Sequence, residues 1–147
     1  MIKKNRTFAN LLKERILVLD GAMGTMIQEY DLEESDFRGD IFSKHNKDLK
    51  GNNDILCLTQ TEMISKIHGK YLDSGCDIIE TNTFNANKIS QADYNTEEYC
   101  FELNKTAAVI AKKACEQYAT KNKPRFVAGA LGPTNKTLSI SPKVEDP

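Results

Sequence analysis

Ile78-Ile79-Glu80-Thr81-Asn82-Thr83-Phe84-Asn85 passes abruptly from branched apolar residues into a polar cluster. The same break occurs twice more. Ile16-Leu17-Val18-Leu19 gives way to Asp20-Gly21-Ala22-Met23-Gly24-Thr25, and Phe126-Val127-Ala128 to Gly129-Ala130-Leu131-Gly132-Pro133-Thr134-Asn135. Each apolar run is short and lacks alternation, the pattern of a strand buried on both faces. In parallel α/β sheets and barrels, ligands sit at the carboxyl ends of such strands. The three breaks are therefore where the chemistry is expected.

Between the runs the period changes to that of helices. Residues 1–15 read as an N-terminal helix with Phe8, Leu11 and Leu12 on one side. Ala22, Met23, Met26, Ile27 and Tyr30 form a helical stripe, which makes Asp20 or Gly21 a helix-entry residue rather than a hairpin tip. Met63, Ile64, Ile67, Tyr71 and Leu72 mark a further helix with Gly75 as terminator. A short helix over 86–92 precedes a long one from Thr96, where Tyr99, Leu103, Ala107, Ile110, Ala114 and Tyr118 share a stripe with Ala111 and Cys115. The stretch 31–54 is polar and reads as a long surface excursion. Helical connections between short strands imply a parallel sheet with right-handed crossovers. The fold class is α/β, with about three strands. Residues 1–15 form a helical extension and 16–147 the α/β unit. No covering helix follows the third strand within the 147 residues, so the unit reads as incomplete.

Composition narrows the function. A net charge of -1 without a basic stripe points away from nucleic acid. No apolar run approaches the roughly 20 residues of a membrane helix, and no apolar stretch follows the basic N-terminus to make a secretory signal. Cys57, Cys76, Cys100 and Cys115 are at least 15 positions apart, so no Cys-x-x-Cys pair exists. They read as reduced packing residues of a cytoplasmic protein. His45 and His68 have no partner at metal-ligand spacing and read as structural or solvated.

The breaks themselves suggest an amino-acid site. A helix starting beside Asp20-Gly21-Ala22-Met23 offers unpaired backbone N–H groups to a carboxylate, and Gly21 and Gly24 permit close approach. Alternatively, Asp20 is simply an N-cap. Glu80 at the second break can hold an ammonium group or form an internal salt bridge, while Asn82 and Thr83 beside it bind ligand or close a turn. The third break, including Gly132, reads as a backbone-lined loop or a plain turn. Asp20 and Glu80 as ammonium partners, with the Gly21–Met23 backbone as carboxylate seat, would grip a zwitterion.

The ordered blocks Leu19-Asp20-Gly21-Ala22-Met23-Gly24-Thr25-Met26-Ile27-Gln28, Lys50-Gly51-Asn52-Asn53-Asp54, Ile79-Glu80-Thr81-Asn82-Thr83-Phe84-Asn85, Gln91-Ala92-Asp93-Tyr94 and Ala130-Leu131-Gly132-Pro133-Thr134-Asn135 resemble the homocysteine-binding domain of cobalamin-dependent methionine synthases. The likeness spans roughly residues 10–147. It implies the first part of a (β/α)8 barrel and methyl transfer from methylcobalamin to homocysteine, giving methionine. It also implies methyltetrahydrofolate as the recharging donor and further folate, cobalamin and activation modules. In that family a zinc ion held by three cysteine thiolates binds the homocysteine sulfur, keeping it a thiolate. Those cysteines come from later strands, and none of the four here matches them. Neither zinc nor cobalamin is expected to be ligated by this chain, and no catalytic residue is assigned within it. The resemblance leaves Asp20, Gly21, Ala22, Met23, Glu80, Asn82, Thr83 and Gly132 as the substrate-binding set of a fragment inactive alone. Two other readings stand beside it: a homocysteine methyltransferase using betaine or S-methylmethionine, and a small non-catalytic α/β module binding an anionic metabolite.

Overall fold

The computed structural model describes residues 7–134 and 136. In chain order the helices are α1 (Phe8–Glu14), α2 (Met23–Gln28), α3 (Glu34–Arg38), α4 (Leu56–Thr59), α5 (Thr61–Asp73), α6 (Lys88–Gln91) and α7 (Cys100–Tyr118). The strands are β1 (Ile78–Glu80) and β2 (Phe126–Ala128). They pair in parallel, Ile78 opposite Phe126 and Glu80 opposite Ala128, with α6 and α7 in the crossover between them.

The first apolar run does not become a strand. It contributes a single parallel bridge, Leu19 to Ile78. Nor is it buried on both faces: Ile16 is 88% exposed, and Val18 and Leu19 are also exposed. The cause lies in Asp77. Its carboxylate accepts the Val18 N–H at 3.0 Å, where a ladder would need a strand carbonyl, while the Val18 carbonyl accepts both Asp77 N–H and Ile78 N–H. The third run is likewise only partly covered, with Val127 exposed. Of the three runs, β1 alone has a fully buried residue, Ile79.

Helix periodicity fares better. In α5, Met63, Ile64, Ile67 and Leu72 are buried, and Gly75 ends the helix at φ +107°, a left-handed conformation that favours glycine. In α7, Leu103, Ala107, Ile110, Ala111, Ala114 and Cys115 face inward. The two helices pack on each other and on β1. In α1 Leu11 is buried, whereas Phe8 is exposed and meets the Phe126 ring edge to face at 5.2 Å. All four cysteines are free and buried. His68, wholly buried in α5 with neither ring nitrogen hydrogen-bonded, has its pKa pushed down to about 4 by burial and stays neutral at physiological pH.

The polar stretch 31–54 is not a surface excursion. Phe37, Phe42 and Leu49 enter the main core with Ile55, Leu56 and Ile64. The charged residues around them bond backbone groups and let the segment fold. Glu34 accepts the N–H groups of Leu49 and Lys50 and pairs with Arg38 at 2.6 Å, and Arg38 donates to the carbonyls of His45 and Lys47. Inside, Asn52 and Gln91 exchange amide hydrogen bonds at 2.8 and 3.2 Å, and Thr96 Oγ1 donates to Gln91 Oε1 at 2.7 Å. All three residues are buried, so this network binds the excursion to the segment after β1.

Asp77 generates a prediction. Arg15 meets its carboxylate with two hydrogen bonds, 2.7 and 2.6 Å, which hold its pKa down from 3.8 to about 2. A carboxylate whose folded pKa is depressed stabilises the fold above its unfolded pKa, and that contribution vanishes as pH falls through the folded value. Asp77→Ala is expected to lower the melting temperature at pH 7 and to flatten the loss of stability between roughly pH 4 and pH 2. Thermal melts of both chains across that range check it.

Candidate functional site

The carboxyl end of β1 opens into a cavity of about 410 Å3. Asp20, Gly21, Ala22, Met23, Glu80, Asn82 and Thr83 line it, so seven of the eight residues singled out from sequence meet there. The eighth, Gly132, is not among the lining residues. Its N–H donates to the Phe84 carbonyl at 3.1 Å, and a Cβ on it would lie 2.2 Å from that oxygen. Gly132 therefore lets the loop after β2 press against the loop after β1. Glycine is required there for lack of a side chain.

Several polar groups at this rim also pair backbone groups left over where the ladder ends. Asp20 does not cap α2, whose N-cap is Ala22. Both its carboxylate oxygens instead lie 3.1 Å from the Glu80 N–H, while its own N–H donates to the Ile78 carbonyl. Burial, with a smaller repulsion from Glu80, pushes its pKa up from 3.8 to about 6. Thr81 Oγ1 accepts the Ala130 N–H at 3.0 Å, and Thr83 Oγ1 donates to the Ala130 carbonyl at 2.9 Å. The two hydroxyls lie 2.7 Å apart. Thr83 thus serves a loop contact as well as facing the cavity.

Asn82 is held from behind. Its Nδ2 donates to the Asn53 carbonyl at 2.8 Å and lies 3.6 Å from Cys57 Sγ, whose thiol donates to the Asn82 carbonyl. With both N–H groups directed there, the amide orientation is set. Burial pushes the Cys57 thiol up to about 12, so it stays protonated at neutral pH.

Three of the lining residues not singled out from sequence come from the polar excursion: Gly51, Asn53 and Asp54. Asp54 is the notable one. It is 3% exposed, accepts the Asn85 N–H at 2.9 Å, and has its pKa raised by burial to about 6. The block Gly51-Asn52-Asn53-Asp54 was visible, but nothing in its polar composition marked Asp54 as buried. Among the described residues no Lys, Arg or His lines the cavity. No group of three His, Cys, Asp or Glu among the described residues could hold a metal ion, and Cys57 is a buried, protonated thiol rather than a thiolate donor. These residues do not fit a zinc site.

What they define is an α/β protein with a carboxylate-lined ligand cavity at the end of a parallel strand. The sequence model of the homocysteine S-methyltransferases matches residues 17–147, and the chain belongs to that family. Two solved structures of the homocysteine methyltransferase MmuM from Escherichia coli are similar in fold. The metallated form is 23% identical with a TM-score of 0.63, covering 84% of this chain and 40% of its own. The oxidized form is 24% identical with a TM-score of 0.64, covering 83% and 39%. The chain thus spans about two fifths of the length of these structures.

Gly132→Ala follows as a test of the inter-loop contact. The added methyl group must displace the Phe84 carbonyl, at a cost of about 1–3 kcal/mol if the loop shifts to relieve it. The expected result is a lower melting temperature with altered amide signals at Phe84 and Asn85; spectra unchanged from the parent would refute the contact.

Proposed function

We propose that this chain supplies the homocysteine-gripping portion of a homocysteine S-methyltransferase. In this reading residues 16–147 are the first part of a (β/α)8 barrel and residues 1–15 a helical extension, of which 1–6 lie outside the described residues and Arg15 meets Asp77. The single observation that carries the proposal is the convergence of Asp20, the Gly21–Met23 turn and Glu80 on one cavity at the carboxyl end of β1, in a chain of this family. Asp20 and Glu80 take the substrate's ammonium group, and the backbone of Gly21–Met23 takes its carboxylate. Asn82, with its amide held by Asn53 and Cys57, and Thr83 complete the wall. Gly132 acts through the Phe84 loop. The described residues bind and orient; methyl transfer needs groups they do not furnish.

The proposed donor is methylcobalamin, recharged by methyltetrahydrofolate on other modules of the complete enzyme, with methionine as product. The five ordered sequence blocks motivate this reading, with betaine or S-methylmethionine as the alternative donor. A zinc ion would hold the homocysteine sulfur from cysteines outside this chain, and the chain alone would be inactive. A cytoplasmic setting accords with four free, buried thiols. No helix among the described residues is long and apolar enough to cross a membrane.

The test is kinetic. In the complete enzyme, Asp20→Asn and Glu80→Gln are each expected to raise the homocysteine KM by roughly tenfold, the loss of one charge-assisted contact. Near-parental kinetics in both would refute the site. The pH dependence follows from Asp20. A cationic ammonium pairs with the ionised carboxylate, and a pKa of about 6 in the ligand-free protein leaves Asp20 increasingly protonated below that pH. The homocysteine KM is therefore expected to be flat above pH 7 and to climb below about pH 6, with Asp20→Asn removing part of the climb.

A further inference from the structure

We infer that Asp54 is a third carboxylate of the ligand grip, and that it pairs with the ammonium group of an amino-acid ligand. The inference rests on the reading of the cavity as an amino-acid site. Asp54 lies in the turn Asn53–Ile55, on an element separate from both Asp20 and Glu80, and lines the same cavity. Its residue is 97% removed from solvent, since 3% remains exposed. The donors it meets are neutral: the N–H of Asn85 and its own amide. Among the described residues no ion pair includes it and no cationic side chain lines the cavity.

A buried carboxylate facing a cavity without a cation is an unfavourable arrangement in the empty protein. The raised pKa has the same cause. A ligand bringing a positive charge removes that penalty, and a neutral or anionic one does not. The other two carboxylates are less suited to be the deepest contact. Asp20 directs both oxygens at the Glu80 N–H, and Glu80 is itself solvent-exposed. The described residues offer no three-donor cluster for a metal ion, which leaves an organic ammonium as the matching cation. The Asn52–Gln91 amide pair holds the turn carrying Asp54 against the loop carrying Asn85 and so fixes the distance between this charge and the strand end.

The experiment compares two probes by calorimetric titration of the complete enzyme: L-homocysteine, and 4-sulfanylbutanoate, which lacks only the ammonium group. Asp54→Asn keeps the size and can still accept the Asn85 N–H, so folding is preserved. The expected result is a loss of tenfold or more in homocysteine affinity, with 4-sulfanylbutanoate binding changed less than twofold. The melting temperature of the ligand-free variant at pH 7 is expected to rise, because a buried charge has been removed. Equal losses for both probes, no loss for either, or a fall in melting temperature would overturn the assignment. An unsubstituted chain that binds neither probe rejects the homocysteine reading itself. One that binds both equally rejects the ammonium grip while leaving a thiol or carboxylate site in place.

Discussion

Where a parallel sheet ends, backbone N–H and C=O groups lose their ladder partners, and buried ones must find others. Most of this molecule's candidate site is the solution to that constraint. The Asp20 carboxylate takes the Glu80 N–H, Asp54 takes the Asn85 N–H, and Thr81 and Thr83 take both polar groups of Ala130. The side chains that terminate β1 are thus also the side chains that line the cavity. Their positions are fixed largely by backbone groups, and for Thr81 and Thr83 also by each other, which orients them before any ligand arrives.

The same economy operates at the opposite end of β1. There Asp77 joins Arg15, the Val18 N–H, the Val18 carbonyl and the Phe126 N–H around one residue. A fully paired carboxylate at the amino end has its pKa lowered, whereas Asp20 and Asp54 at the carboxyl end, buried without a cation among the described residues, have theirs raised. One end of the strand is electrostatically satisfied and serves the fold. The other is left short of positive charge, as a site awaiting a cationic ligand would be.

Legibility of the sequence divided along physical lines. The period of α5 and α7 was readable because each buries a single apolar stripe, sustained over 13 and 19 residues. The rim residues at Asp20–Met23 and Glu80–Thr83 were readable because apolar runs end there. The fate of the run Ile16–Leu19 was not, since its hydrophobicity says nothing of the Asp77 side chain that takes the Val18 N–H. Gly132 was visible as a loop glycine, but its contact with Phe84 depends on a neighbour 48 positions away.

The segment 31–54 is the more instructive failure. Its charges suggested solvent, yet Glu34 and Arg38 spend theirs on the segment's own backbone, and this allows Phe37, Phe42 and Leu49 to be buried. Composition counts charges without asking what they bond to. Asn52 shows the consequence: an amide of this polar stretch is buried because Gln91, far along the chain, matches its donor and acceptor. That pairing brings Asn53 and Asp54 to the cavity wall. The wall therefore comes from a connection as well as from strand ends, and a reading confined to strand ends finds only the carboxylates that the strands themselves carry.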